Sequence, residues 1–214
     1  VLLADDHAIV RAGLKEILAD TGDIEVAGEA TNGQEVLERI RGQDFDVAVL
    51  DMSMPGRNGI ELIRLVKDER PKLRVLVLTM HNEQQYAVRA LKAGASGYLT
   101  KDSAAEELVA AIRRIAAGGA YVSPETAERL ALDSGGRADA PPHTRLSDRE
   151  FQVFRMIAGG ETVGAIAKRL SLSVKTVSTH KTRILEKMGF ANQAELIRYA
   201  IEHRLLDDSG GPPA

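Results

Sequence analysis

Val47-Ala48-Val49-Leu50-Asp51 is four apolar residues in a row closed by a carboxylate. A short unbroken apolar run reads as a strand buried on both faces, as in a parallel sheet. Two further runs share the form. Val1-Leu2-Leu3-Ala4 leads into Asp5-Asp6, and Val75-Leu76-Val77-Leu78 leads into Thr79. Residues 25–28 and 96–99 are weaker strand candidates, the second followed by Thr100 and Lys101. Helical periodicity fills the gaps at about 8–19, 33–41, 59–69, 84–93 and 104–117. Ile9, Leu14, Ile17 and Leu18 are assigned to one face of the first helix, and Leu108, Ile112 and Ile115 to one face of the last. Five alternations of strand and helix predict an α/β fold with a parallel sheet.

In such sheets ligands sit beyond the carboxyl ends of the strands, where the winding reverses. Asp5, Asp6 and Asp51 all fall at such ends and converge if their strands are neighbours. Unpaired carboxylates would repel and raise their own pKa values; a hard cation such as Mg²⁺ relieves that cost. Thr79 adds a hydroxyl and Lys101 an ammonium at the same end. Together they form a phosphoryl-binding constellation in which cations neutralise charge, a hydroxyl donates and a carboxylate attacks. Each residue alone has a plainer reading: Asp6 as a helix cap, Thr79 as a strand-end residue, Lys101 as a solvated charge. Their joint occurrence favours the functional one. A phosphohydrolase with Asp51 as nucleophile is an alternative, although Ser53 stands where such enzymes carry a second carboxylate. A regulator controlled by a partner or small ligand, without phosphate, is another.

Leu3-Ala4-Asp5-Asp6-His7, Asp51-Met52-Ser53-Met54-Pro55-Gly56-Arg57-Asn58-Gly59, Thr79 and Tyr98-Leu99-Thr100-Lys101 together resemble the receiver domain of bacterial response regulators, over about residues 1–117. The resemblance implies a five-stranded doubly wound sheet. It also implies Asp51 as phosphoacceptor, Mg²⁺ held by Asp5, Asp6, Asp51 and the Ser53 carbonyl, and Thr79 and Lys101 against the phosphoryl group. Tyr98 would be the aromatic that turns inward when Thr79 moves. Asp102 stands where many receivers have Pro after the Lys.

Residues 133–145, rich in Gly, Pro, Ser and Asp, read as a linker, preceded by a helix capped at Ser123-Pro124-Glu125 and reaching about Leu132. Beyond it the pattern is wholly helical. Ser147 and Glu150 form a capping box for a helix with Phe151, Phe154, Met156 and Ile157 on its apolar side, ended by Gly159-Gly160. Helices at about 163–170, 173–188 and 193–203 follow, and 207–214 reads as a frayed tail. On the helix at 173–188, Val174, Val177, Ile184, Leu185 and Met188 are assigned to the apolar side, opposite Lys175, Ser178, Thr179 and Thr182. That spacing fits a helix-turn-helix, with a merely solvated charged face as the plain alternative.

Leu146-Ser147-Asp148-Arg149-Glu150, Ile166-Ala167-Lys168-Arg169-Leu170, Ser173-Val174-Lys175-Thr176-Val177-Ser178-Thr179-His180 and Ile184-Leu185-Glu186-Lys187-Met188 resemble the LuxR-type helix-turn-helix. Val163, Gly164 and Ala165 depart from that family's usual residues. With the receiver, the chain is similar to NarL/FixJ-class response regulators. The resemblance implies DNA contacts from Lys175, Thr176, Ser178, Thr179, His180, Lys181, Thr182 and Arg183. It implies a dimer contact on the last helix, at Leu196, Tyr199 and Ala200. The expected organisation is a receiver at 1–117, a connecting helix and linker at 118–145, and a separate all-α four-helix DNA-binding domain at 146–207. The expected partners are a sensor histidine kinase, double-stranded promoter DNA and a second copy of the chain.

Bulk properties agree. Residues 1–140 carry 17 basic and 23 acidic side chains, a net of −6; residues 141–214 carry 11 and 8, a net of +3. That asymmetry suggests two domains with different partners. Cys is absent, which excludes disulfides and fits a reducing cytoplasm. No apolar run approaches the ~20 residues of a membrane span, and no signal peptide is visible.

Overall fold

The computed structural model describes residues 1–54, 59–80, 84–124, 126–128, 131, 141–203 and 205–206. The expected receiver loop at 55–58, most of the expected linker at 133–140 and the tail at 207–214 lie outside the described residues. The chain forms two compact units, Val1–Gly135 and Gly136–Ala214.

In the first unit, strands β1 (Leu2–Ala4), β2 (Gly28–Ala30), β3 (Val47–Asp51), β4 (Arg74–Thr79) and β5 (Gly97–Thr100) form one sheet in the order β2-β1-β3-β4-β5. Every pairing is parallel. Helices α1 (Ala8–Ala19), α2 (Gly33–Gly42), α3 (Gly59–Glu69), α4 (Gln84–Lys92) and α5 (Ala104–Ala116) connect them. The chain steps outward from β1 to β2, then back past β1 to β3, so the winding reverses between β1 and β3. The crevice at the carboxyl end of that pair is where this architecture places a ligand.

The apolar runs are continuous because both sheet faces are covered. Leu3, Val47, Val49, Leu76, Leu78 and Leu99 pack with Leu14 and Leu18 of α1 and Leu108, Ile112 and Ile115 of α5. Their neighbours Leu2, Ala48, Leu50, Val75 and Val77 are equally buried and point to the other face by the strand's period of two.

Three sequence expectations need correction. First, Ile9 is 89% exposed, and Val10 takes its place against the core. At ~100° per residue Ile9 and Leu18 stand about 180° apart, so they cannot share a face. Second, the edge strand is Gly28–Ala30, not 25–28. Its register is set at Gly28, paired with Leu2, where a Cβ would come within 2.9 Å of the Phe45 ring. Ile24 and Val26 instead pack as partly buried side chains against the core. Third, Asp51 is the last residue of β3 rather than the first beyond it. The peptide bonds among the described residues, Lys101–Asp102 included, are trans.

Past α5 the chain adds to the β5 edge. Tyr121 N–H donates to Ser96 O at 3.1 Å, and Tyr98 N–H donates to Tyr121 O at 2.9 Å. Ser123 accepts from Thr126 N–H at 3.2 Å, the N-cap expected there.

The second unit contains a 3₁₀ turn (Pro142–Arg145) and helices α6 (Asp148–Ala158), α7 (Val163–Arg169), α8 (Val174–Met188) and α9 (Gln193–Glu202). Part of the expected linker is therefore folded: His143, in the turn, is 1% exposed, with its Nδ1 2.5 Å from the Tyr199 hydroxyl. Each helix has a side-chain N-cap: the Ser147–Glu150 capping box, Thr162, Ser173 and Asn192. Gly160 (φ +88°) and Gly189 (φ +71°) take the left-handed conformation that follows a helix C-terminus. Phe151, Phe154, Ile157, Ile166, Val177 and Ile184 form the centre of the core. Val153 is buried where Met156 was expected, and Met156 is only half-buried.

Candidate functional site

Strand register brings the acidic residues together. Ala4 pairs with Leu50, so Asp5 leaves β1 level with Asp51 at the end of β3. Both carboxylates are buried, Asp5 at 1% and Asp51 at 2% exposure. On the far side Asp51 pairs with Leu78 and Thr79 with Thr100, which sets Thr79 beside the same crevice. Lys101 N–H donates to Thr79 O at 2.7 Å and so fixes the lysine at the mouth.

Lys101 crosses the crevice. Its Nζ lies 2.5 Å from Asp5 Oδ2 and 3.0 Å from Asp51 Oδ2. The other Asp51 oxygen accepts from Ser53 N–H at 3.1 Å. Burial pushes the Asp51 carboxyl above its ordinary pKa, against the pull of the Lys101 charge. For Lys101 burial acts downward, but the two carboxylates outweigh it and hold the ammonium above its ordinary value. The pocket thus keeps a fixed cation against a carboxylate whose charge is disfavoured by burial, an arrangement that an added divalent cation would complete.

Asp5, Asp6, His7 and Asp51 each offer a ligand atom, all within 4.8 Å of one another. Octahedral Mg²⁺ with bonds of about 2.1 Å spaces its ligands by roughly 3 to 4.2 Å, so the aspartate oxygens fit with small adjustments. His7 is the member the sequence reading did not select. Its Nδ1 lies 3.1 Å from both Asp5 Oδ1 and Asp6 Oδ1. Its adjacency to the Asp pair was the available signal.

Tyr98 is 9% exposed and lines a cavity of about 540 Å³ with Thr100, Ser103, Glu107 and Tyr121. Tyr121 OH donates to Glu107 Oε2 at 2.6 Å. This pairing across 14 residues has no local sequence signature.

In the second unit, α8 presents Lys175, Ser178, Thr179, Thr182 and Arg183 as one exposed stripe. Thr179 and Thr182 donate their hydroxyl protons to the Lys175 and Ser178 carbonyls, at 2.9 and 3.2 Å. The other three expected DNA residues differ. Thr176 is held in the N-cap, its Oγ1 2.7 Å from Ser173 Oγ. Lys181 donates to Gln193 Oε1 at 2.7 Å. His180 is half-buried, and burial, with Arg149 adding to it, pushes its pKa down. Lys187 is engaged by Glu150 at 2.6 Å. Val174, assigned to the apolar side from sequence, is 57% exposed, whereas Val177 one turn on is fully buried. The residues singled out for a dimer contact, Leu196, Tyr199 and Ala200, are buried within the unit, whereas Ala194, Arg198 and Ile201 of α9 are exposed.

A parallel sheet with an acidic switch-point pocket, followed by a capped helix-turn-helix, defines a receiver-type domain joined to a DNA-binding domain. Comparison with known proteins agrees. Residues 1–113 match the response regulator receiver domain, and residues 144–200 match the bacterial regulatory proteins of the luxR family. The chain is 40% identical to the response regulator GacA of Pseudomonas viridiflava over 210 residues, 98% of each chain. It is 38% identical to the response regulator UvrY of Escherichia coli K12, covering 97% of this chain and 95% of that one. Among solved structures it is similar to the RcsB response regulator of Salmonella typhimurium (TM-score 0.70, 31% identity, 94% and 96% of the two chains). It is also similar to RcsB bound to the rprA promoter in the presence of BeF₃⁻ (TM-score 0.65, 30% identity, 92% and 96%). The chain belongs to the NarL/FixJ-class response regulators, transcription regulators rather than conventional enzymes. Among the described residues no helix is long and apolar enough to cross a membrane.

Proposed function

We propose that Asp51 accepts a phosphoryl group from a sensor histidine kinase and that the modified chain regulates transcription by binding promoter DNA as a dimer. The observation that supports this most is the Lys101 ammonium held between Asp5 and Asp51 at the switch point, with Thr79 beside it. An Asp51 carboxylate oxygen attacks the phosphorus of a phosphohistidine; the new O–P bond forms as the P–N bond breaks, and the imidazole leaves. Mg²⁺, held by Asp5, Asp6, Asp51 and the Ser53 carbonyl, would supply positive charge to the transferring oxygens. Lys101 neutralises the same oxygens, and Thr79 donates its hydroxyl to one of them.

Phosphorylation adds roughly −1.5 to −2 charges, drawing Thr79 and Lys101 inward and opening space for the Tyr98 ring. Paired chains then set two α8 helices into half-sites about 10 bp apart. The exposed Ala194, Arg198 and Ile201 of α9 supply the pairing surface on DNA. Lys175 and Arg183 meet phosphates, while Ser178, Thr179 and Thr182 meet base edges; Thr176, His180 and Lys181 serve mainly to hold α8 in place. The promoter-bound RcsB relative supports the DNA reading.

Label transfer from a phosphorylated histidine kinase tests the acceptor. The wild-type chain should take up label and Asp51→Asn should take up none. Equal labelling of both would overturn the assignment.

A further inference from the structure

We propose that Val174 is a base-reading residue that recognises the C5-methyl group of a thymine. The inference rests on the DNA-binding role of α8 and adds the chemistry of one position. Val174 is the first residue of α8 and is 57% exposed, whereas Val177, Ile184 and Met188 are buried and Leu185 is half-buried. A β-branched apolar side chain left mostly in the open at a helix start adds little to this unit's core. It is also a poor choice for a solvated turn, since it loses side-chain freedom in a helix.

Position decides what it can touch. Ser178 follows four residues later on the same side of the helix, so both side chains face one direction. The first turn of a recognition helix is the part that approaches base edges in the major groove. Lys175 and Arg183 flank the stripe as cations for phosphates, which leaves Val174, Ser178, Thr179 and Thr182 for the bases.

Between the two cations the stripe holds no Asn or Gln, the side chains that pair bidentately with adenine. The hydroxyl protons of Thr179 and Thr182 are already taken by helix carbonyls. What remains between the cations is the Ser178 hydroxyl, acceptor lone pairs and methyl groups. In the major groove an apolar group has one distinctive partner, the thymine methyl, which distinguishes T from C. Val174 is the largest apolar group on this surface.

The test uses the full-length chain with beryllofluoride to select duplexes from a random library. Each thymine of the selected site is then replaced singly by deoxyuridine, which removes only the methyl. In the wild type, one replacement per half-site should weaken binding about 4-fold, the worth of one buried methyl group at ~0.8 kcal/mol. Val174→Ala should bind the thymine and deoxyuridine duplexes equally, while its affinity for an unrelated duplex stays at the wild-type value. The inference is overturned if every deoxyuridine duplex binds the wild type within about 1.5-fold of the parent. It is equally overturned if Val174→Ala keeps the full deoxyuridine penalty. If no duplex is enriched at all, the DNA-binding reading fails, and this inference with it.

Discussion

At the scale of single residues, the pocket carries two charge effects of opposite sign. Burial raises the Asp51 pKa, so the folded state holds that proton more tightly than the unfolded chain does. The stability this contributes is complete below the unfolded carboxyl value and is lost as pH rises through the raised folded value. At pH 7 the ionised Asp51 is thus a net cost, and Asp51→Asn should raise the urea midpoint of the first unit. The gain should vanish at acid pH; a lower midpoint at pH 7 would refute the sign. Lys101→Met should do the reverse. It leaves Asp5 and Asp51 facing each other without their cation and should cost about 3 kcal/mol at pH 7, the scale for removing one partner of a buried pair. Mg²⁺ gives a third measurement. At 100 times its dissociation constant it should stabilise the wild type by about 2.7 kcal/mol in urea titrations, and Asp51→Asn far less. Much of this site was legible because each residue ends a strand or follows one closely, a position visible in one dimension. The ion pairs of Lys101 with Asp5 and Asp51 were not, because they join residues 96 and 50 positions apart.

At the scale of elements, caps were the most readable features, because their hydrogen bonds close within three or four residues. Ser147 and Glu150 form the expected box, and Glu150 also holds Lys187 of α8. Burial opposes ionisation of Glu150, yet the bonds from Lys187 and Ser147 outweigh it and hold the carboxyl below its ordinary value. Its contribution is present above the unfolded carboxyl pKa and lost as pH falls through the lower folded value. Ser147→Ala should destabilise the second unit by about 1 kcal/mol, read as a lower thermal midpoint. An unchanged midpoint would mean that the 3₁₀ turn, not the cap, fixes the start of α6. Helix faces were less readable. Ile9 and Val174 are apolar residues near helix starts, where side chains extend past the packed turns, and both are exposed although the sequence assigned them inward.

At the scale of the whole molecule, the basic surface matters only where its cations are not already engaged. Lys175 is exposed on the α8 stripe, whereas Lys187 is bound to Glu150. Lys175→Ala should therefore weaken binding to all duplexes and flatten the salt slope by about 1 unit, the signature of one lost phosphate contact. Lys187→Ala should leave the slope unchanged and lower stability instead; equal slope changes in both variants would contradict this division. The sequence by itself determined the α/β class, the carboxylates at strand ends, the order of the two functional units and the capped helix-turn-helix. These depend on periodicity and on contacts between near neighbours, which a linear pattern records. Only the tertiary structure decided which cations pair internally, that His7 joins the aspartates, that Tyr121 extends the β5 edge and that Val174 stays in the open. Those outcomes depend on which distant surfaces meet, and the free energy of burial is settled by the packed partner rather than by the residue alone.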